Sequence, residues 1–304
     1  MSGHEKAIEV ESLTKCFGAA RAVDGISFSV ENGEFFGFLG VNGAGKSATI
    51  NMLSTLIAPT SGTAKVCGME IGRQDSDIRR KIGIVYQNNC LDDMLTVREN
   101  LMLRGSIYGE SRSECLRSFD RVCDILCLGD ITEKRYKKLS GGQKRRCEIA
   151  AALMHSPELL FLDEPTTGLD PATRKSVWET ITDMRRTTGM TVFLTTHYME
   201  EAAEADKIVI LDSGRICAEG TPFELKEKYA RDKLRLYTEK ELALDGLTAE
   251  SYGYSAELSG TMSALDILDK VRGDVTGFEV LGGTMDDVFL NATGKKLENT
   301  EGAK

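Results

Sequence analysis

The sequence lacks any long apolar run. No stretch approaches the ~20 predominantly apolar residues that a membrane-spanning helix needs. The first ten residues, MSGHEKAIEV, also lack the apolar core of a secretory signal. We therefore expect a chain that neither spans a membrane nor is exported.

The sequence also has fewer basic than acidic residues. The chain has 38 Lys and Arg against 47 Asp and Glu, a formal net charge of −9. Such a chain lacks the electrostatic surplus of a general nucleic-acid binder, so nucleic acid is not an expected partner. The 28% charged and 41% apolar residues are ordinary for a globular protein, which excludes disorder, collagen and a disulfide-rich miniprotein. The 304 residues allow two domains.

The eight cysteines include no CxxC pair and no cluster with His at zinc spacing. We therefore expect free thiols in a reducing cytoplasm. Cys123 and Cys127 are four residues apart in a helix-like stretch, which predicts that both lie on one buried face.

Short β-rich runs alternate with helix-length segments along most of the chain. These runs are residues 26–30, 35–39, 82–85, 159–162, 191–195 and 208–211. Apolar runs interleaved with helices predict an α/β fold whose strands are buried on both faces of a mainly parallel sheet. The pattern between about residues 88 and 157 is helical, which predicts a helical insertion.

The composition changes again near residue 230. We expect a first domain over residues 1–229 and a small C-terminal α+β accessory domain over residues 230–304, ending in a mobile polar tail, LENTEGAK. The apolar residues 288–290 are too few for a core of their own, so we expect them to pack on the neighbouring domain or subunit.

A phosphate-binding motif follows the strand-like sequence FFGFL. The sequence GVNGAGKS fits GxxxxGK[ST] and precedes a helical pattern. Its glycines let backbone N–H groups surround phosphates at a helix N-terminus. Lys46 is expected to reach the β- and γ-phosphates, and Ser47 to bind Mg²⁺. The motif predicts nucleoside triphosphate binding by Gly40, Asn42, Gly43, Ala44, Gly45, Lys46 and Ser47.

A second candidate site ends the strand-like sequence LLFLDE. Its two carboxylates come at the strand end, where α/β sheets place ligand chemistry. We expect Asp163 to orient Mg²⁺ and Glu164 to polarise the water that attacks the γ-phosphate. Helix capping is the alternative role for such carboxylates.

The sequence LSGGQ begins at Leu139. Ser140 and Gln143 have the spacing of a helix-capping box. Gly141 and Gly142 would each weaken the first helical turn by about 1 kcal/mol relative to Ala, unless a ligand approaches the backbone closely. We therefore favour a second phosphate-binding helix end.

Together these motifs resemble those of ATP-binding cassette (ABC) ATPases, because LSGGQ precedes LLFLDEP by about twenty residues. The resemblance extends over residues 1–230. It implies further roles: Gln87 as the glutamine that senses the γ-phosphate and Mg²⁺, Asp170 as the D-loop aspartate, His197 as the switch histidine on the γ-phosphate, and Phe17 as the aromatic that stacks on adenine.

The resemblance also implies a dimer. Cassettes work as head-to-tail pairs in which LSGGQ of one copy closes over ATP on the other, and this chain has one copy of each motif. One position departs from the family: Ala48 stands where many cassettes have Thr, and Thr49 follows it. We expect a somewhat reduced ATP affinity from this change.

Three further stretches, LDDMLTVRENL, GQKRRCEIA and MDDVFLNATG, resemble ATPase subunits of bacterial type-2 exporters of the daunorubicin-resistance kind. This implies a motor subunit on the cytoplasmic face of the membrane, coupling ATP hydrolysis to export of a drug-like or lipid-like substrate through a separate permease. The alternative is a soluble ATP-switched regulatory or assembly protein without transport. Three cations, Lys144, Arg145 and Arg146, are expected on a solvated helix face. Two histidines, His4 and His155, match no motif, and we expect surface or structural roles for them.

Overall fold

The computed structural model describes residues 6–109, 111–242 and 244–294. The chain divides into two compact units, Met1–Cys217 and Ala218–Lys304. This division falls before the boundary near residue 230 that the composition predicts. His4 and the predicted mobile tail lie outside the described residues.

The strands are β1 (Lys6–Phe17), β2 (Ala20–Glu31), β3 (Phe35–Leu39), β4 (Ser61–Val66), β5 (Met69–Glu70), β6 (Ile82–Val85), β7 (Leu159–Asp163), β8 (Thr191–Thr196), β9 (Lys207–Asp212), β10 (Arg215–Gly220), β11 (Asp232–Tyr237), β12 (Thr248–Glu250), β13 (Gly253–Leu258) and β14 (Gly277–Leu281). The helices are α1 (Lys46–Leu53), α2 (Asp75–Lys81), α3 (Val97–Ile107), α4 (Arg112–Ile125), α5 (Gly141–Leu153), α6 (Pro171–Thr188), α7 (Pro222–Tyr229), α8 (Ser263–Val271) and α9 (Met285–Thr293). Short 3₁₀ turns occur at Tyr136–Lys138 and Met199–Ala202. Within the described ranges, no helix is both long enough and apolar enough to cross a membrane.

The central sheet has the strand order β10-β9-β3-β8-β7-β6. Strand β3 pairs in parallel with β8 and β9, and β7 pairs in parallel with β6 and β8. Its middle strands are buried along their whole length, and the Phe193 ring lies 5.2 Å from that of Phe36 and 5.4 Å from that of Phe161. Five of the six predicted runs belong to this sheet, so the α/β prediction is confirmed.

The sixth run, residues 26–30, lies in a different sheet. Strand β2 belongs to an antiparallel sheet of order β2-β1-β4-β5. The placement of this run in the parallel sheet was wrong. Its burial alternates, with Ile26, Phe28 and Val30 buried, because such a strand buries only one face. That face packs against the central sheet, where the Phe28 and Phe36 rings stack 5.4 Å apart.

Helices α3, α4 and α5 occupy the segment between β6 and β7. Helix α4 starts with a capping box of Ser111 and Glu114 and buries Cys115, Phe119 and Cys123. Cys127 follows the end of α4 and is exposed, so the prediction that it shares a buried face with Cys123 was wrong. None of the eight cysteines, all of which lie in the described ranges, forms a disulfide.

The second unit is an α+β structure. Its antiparallel sheet has the order β12-β13-β11-β14, and the apolar face of α8 packs on it around Leu234 and Leu236. Helix α9 packs on α7 and fully buries Val288 and Phe289. Both helices belong to the second unit. Because α7 lies within residues 1–229, which the sequence assigns to the first domain, this apolar run packs on a segment outside the predicted accessory domain, as expected.

Candidate functional site

The phosphate-binding motif forms a tight loop between β3 and α1. Gly45 is the N-cap of α1 and has φ 109°, and a Cβ atom there would clash with the Ala22 carbonyl oxygen. A Cβ atom at Gly40 would lie 2.5 Å from the Leu211 carbonyl oxygen. Only glycine fits these positions. The first N–H groups of a helix have no partner within the helix, so those of α1 can bind an anion.

The rest of the motif divides into exposed and packed positions. Asn42, Gly43 and Ser47 are exposed on the loop, whereas Ala44 is buried. Neither of the two residues that follow Ser47 has an accessible polar side chain. Ala48 packs against the core, and the buried Thr49 hydroxyl donates to the Gly45 carbonyl, 3.0 Å away.

Lys46 is buried beneath this loop. Its Nζ donates to the Gly40 carbonyl at 2.7 Å and the Val41 carbonyl at 3.3 Å, and lies 3.2 Å from Glu164 Oε1. Burial lowers the pKa of the ammonium, and the Glu164 carboxylate partly offsets this effect. The loop therefore surrounds a single desolvated cation, which suits a multiply charged anion.

Glu164 follows β7 and is the meeting point of the predicted catalytic residues. Its Oε2 accepts from Gln87 Nε2 at 3.4 Å, Thr167 Oγ1 at 3.1 Å and His197 Nδ1 at 3.1 Å. Burial is the largest influence on its pKa and raises it. The hydrogen bond from His197 and the charge of Lys46 together outweigh burial and lower the pKa to about 2.

Asp163 faces a different environment although it is the adjacent residue. Burial raises the pKa of this carboxyl group, and hydrogen bonds from Thr195 and Ser47 oppose the shift. The Thr195 hydroxyl donates to Asp163 Oδ1 at 2.6 Å. Ser47 and Asp163 thus place a hydroxyl and a carboxylate together at the end of the sheet.

The LSGGQ residues form the start of α5. Ser140 is the N-cap: its hydroxyl accepts from Gln143 N–H at 3.3 Å, and its own N–H donates to Gln143 Oε1 at 3.1 Å. A Cβ atom at Gly142 would lie 2.5 Å from Thr173 Cγ2. The sequence predicts that these glycines let a ligand approach the backbone, but Gly142 also lies where α5 packs closely on α6.

Asp170 lies beside this helix end. It is the N-cap of α6, and its carboxylate accepts from Thr173 N–H at 3.1 Å. The preceding Leu169 side chain lies against Gly141. The two predicted dimer-facing motifs therefore meet within one chain. None of the contacts in the described part of the chain joins Ser140, Gln143 or Asp170 to the side chain of Lys46.

Phe17 stands at the end of β1 with 54% of its surface exposed. Lys15 Nζ lies 5.1 Å from the centre of its ring. An exposed, flat aromatic surface of this kind can stack on a base.

The prediction of a solvated cationic face was wrong for Arg145, whereas Lys144 and Arg146 are partly exposed. Lys144 pairs with Asp93 at 3.0 Å, and Arg146 donates to the carbonyl groups of residues 126 and 127. Arg145 is buried, with 4% of its surface exposed.

His155, which matches no motif, has a structural position. Its ring stacks on that of Tyr108, with the ring centres 3.7 Å apart.

Comparison with known proteins agrees with this geometry. Residues 23–167 match the family model described as ABC transporter. The chain is 39% identical to the daunorubicin/doxorubicin resistance ATP-binding protein DrrA of Streptomyces peucetius, over 97% of this chain and 94% of that protein. It is 36% identical to Nod factor export ATP-binding protein I of Paraburkholderia xenovorans (strain LB400), over 97% and 99%.

Among solved structures, it resembles the dimeric post-hydrolysis state of the ATP-binding cassette MJ0796 bound to ADP and Pi. The TM-score is 0.62 at 26% identity, covering 71% of this chain and 98% of that chain. Both the nearly full-length similarity and the cassette architecture point to one family. The chain belongs to the ABC transporter family and is an ATP-binding subunit with ATPase activity.

Proposed function

We propose that this chain is the motor of an exporter, working as a homodimer on a separate membrane permease at the cytoplasmic face of the membrane. Two relatives of nearly the same length support export, since one is named for drug resistance and the other for Nod factor export. The class of substrate we propose is a drug-like or lipid-like molecule.

The observation that carries the dimer is the separation of the two predicted ATP-binding surfaces in one chain. Lys46, Glu164 and His197 form one cluster, whereas Ser140 and Asp170 lie in another that makes no described contact with Lys46. A second copy facing the first in the opposite direction supplies the missing half of each site. The solved dimeric cassette supports this arrangement.

Within each site the residues have distinct roles in hydrolysis. Lys46 and the α1 N-terminus bind the phosphates, and Phe17 stacks on the adenine ring. Glu164 accepts a proton from the attacking water. Gln87 and His197, which both donate to Glu164 Oε2, hold its carboxylate toward the γ-phosphate.

The residues present also fit Mg²⁺. A hydroxyl and a carboxylate, from Ser47 and Asp163, are oxygen ligands of the kind that Mg²⁺ prefers, and Gln87 adds an amide oxygen. Mg²⁺ is usually held by one or two carboxylates together with substrate phosphates, so one carboxylate and one hydroxyl are a suitable protein contribution. When bound, this ion neutralises developing charge on the phosphate oxygens.

The permease needs a docking surface, and the start of the helical segment offers one. Leu103 and Ile107 are more than half exposed on one face of α3, and Arg104 and Tyr108 line an adjacent cavity of about 190 Å³ that also contacts the loop after Gln87. We infer that a cytoplasmic segment of the permease packs here, so that its movement reaches Gln87. The C-terminal unit supports dimer contact or coupling to the permease.

Two measurements test this function. Glu164→Gln should bind ATP without hydrolysing it, so light scattering with ATP and Mg²⁺ should show a dimer. Monomers together with persistent turnover would exclude a shared site. Co-purification from membranes with a permease, and ATP-dependent transport by that complex in vesicles, tests export; a soluble regulator would show neither.

A further inference from the structure

Arg145 occupies an unusual position for a cation. It lies on α5, two residues after Gln143 of the LSGGQ sequence, and its side chain is buried. Its guanidinium group donates to backbone carbonyl oxygens in two other segments. These acceptors are Tyr86 at 2.5 Å, Pro165, Glu164 at 3.2 Å and Asp163 at 3.5 Å. In the described part of the chain no carboxylate lies within ion-pair distance of it.

This chemistry requires arginine. A guanidinium group is planar and carries five N–H donors in a fixed fork, so one side chain can bind several carbonyl groups at once. A buried charge without a paired carboxylate is unfavourable unless its donors are satisfied. The carbonyl groups around Arg145 satisfy its donors, and the same hydrogen bonds hold those carbonyl groups in place.

One of these carbonyl groups belongs to a strained residue. Glu164 has φ 46°, in the left-handed region that side chains other than glycine rarely adopt. Its N–H donates to the Thr195 carbonyl at 3.0 Å, and its carbonyl accepts from Arg145. Hydrogen bonds therefore fix the backbone of Glu164 at both its N–H and its carbonyl group, and Arg145 makes the bond at the carbonyl group.

The same guanidinium group holds the base of the loop that carries Gln87, because Tyr86 is the preceding residue. Further along this loop, the N–H groups of Cys90 and Leu91 donate to Glu148 Oε1 at 2.8 Å and 3.1 Å. Glu148 lies on α5 as well. Helix α5 therefore holds the Gln87 loop on both sides of the glutamine.

We propose that Arg145 is a positioning residue that links the LSGGQ helix to the catalytic carboxylate and to the Gln87 loop. A displacement of α5, on which the signature lies, would thereby change the aim of Glu164. This inference rests on the proposed role of Glu164 as the base. Arg145 itself touches no reacting atom.

The test compares Arg145→Gln with Arg146→Gln, its neighbour on the same helix. The Arg146 guanidinium also donates to carbonyl groups, but only to those of residues 126 and 127. Because a misaimed group slows the chemical step, Arg145→Gln should lower kcat by about tenfold to a hundredfold. The KM for ATP should stay within about threefold, since Lys46 and its loop are untouched. Arg146→Gln should stay within about twofold of wild-type kcat.

Two further variants exclude a general loss of structure. Arg145→Lys retains the charge but loses the fork, so it should show the same reduction in kcat with normal ATP binding, and it carries the test if Arg145→Gln does not fold. In a Glu164→Gln background, Arg145→Gln should change the residual turnover by less than about twofold, because the carboxylate it positions is already absent.

Wild-type kcat in both Arg145 variants would overturn the proposal, as would a full additional loss in the Glu164→Gln background. The proposed function fails separately, by wild-type turnover in Glu164→Gln alone.

Discussion

The ion pair between Lys46 and Glu164 leads to a prediction about nucleotide affinity. Lys46 Nζ and Glu164 Oε1 are 3.2 Å apart, and both side chains are buried. The phosphates of a nucleotide attract the same ammonium group, so the carboxylate competes with them and also repels them. Replacing Glu164 with glutamine should therefore strengthen nucleotide binding while it removes the proposed base for hydrolysis.

The distance sets the scale of this competition. Two unit charges at that separation attract each other by about 5 kcal/mol at an effective dielectric constant of ~20. The phosphates replace most of this attraction when they bind. If a quarter of the attraction between Lys46 and Glu164 is lost when the nucleotide binds, the loss weakens binding by about 1.3 kcal/mol, which is close to a tenfold change in affinity. We therefore expect Glu164→Gln to bind ADP about tenfold more tightly and to hydrolyse ATP about 10²- to 10⁴-fold more slowly.

ADP is the appropriate ligand for the affinity measurement. The wild type cannot hydrolyse it in this reaction, and ADP lacks the γ-phosphate that we expect to close the dimer. Isothermal titration calorimetry of both proteins with ADP and Mg²⁺ at neutral pH gives the two dissociation constants, and phosphate release from ATP gives the turnover.

A matched control is Glu158→Gln. Glu158 also pairs with a lysine, Lys81, at 2.9 Å, but both side chains are about half exposed and far from the loop in sequence. We expect no change in affinity or turnover from this variant. Weaker ADP binding by Glu164→Gln, with Glu158→Gln unchanged, would refute the competition between carboxylate and phosphate.

Three other predictions follow from packing and burial. Gly142→Ala places a Cβ atom 2.5 Å from Thr173 Cγ2, so it should lower ATP turnover with little effect on ADP affinity, whereas Gly129→Ala, which has open space, should match the wild type in the same assays. Phe289→Ala removes a fully buried ring from α9 and should destabilise the second unit by about 3–5 kcal/mol, measured by urea unfolding, without changing ADP affinity. Burial lowers the pKa of His155 in the folded protein, so the unfolded chain takes up a proton first. Stability should fall as pH drops below about 6.5, and urea midpoints at pH 7.5 and 5.5 should differ less in His155→Gln.

Strands that are buried on both faces were predictable from the sequence, because each contains a continuous run of mostly apolar residues. The bounds of β3 and β6 agree with the predicted runs to the residue. Strand β2 was placed in the wrong sheet because its alternating pattern was not distinguished from a continuous apolar run. The second compact unit begins at Ala218, before residue 230, since α7 contacts α9, a helix distant in sequence.

The candidate site shows the same limit. Gln87, Glu164 and His197 could be proposed because each belongs to a recognisable motif. In the structure, Gln87 and His197 both contact Oε2 of the Glu164 carboxylate. Arg145 could not, because a charged residue between two other cations has the pattern of a solvated face. Its burial depends on carbonyl groups about 20 to 60 residues away, and no local sequence pattern reports them.

The opposite pKa shifts of two adjacent carboxyl groups show how the site separates their roles. Burial raises the pKa of Asp163, whereas His197 and Lys46 outweigh burial at Glu164 and lower its pKa to about 2. A carboxylate with so low a pKa is a weak base. When phosphates attract Lys46, one of the two influences that lower the pKa of Glu164 weakens, and its basicity rises. We therefore propose that nucleotide binding prepares Glu164 to act as the base in ATP hydrolysis, because the cation proposed to bind the phosphates is the one that otherwise pairs with Glu164.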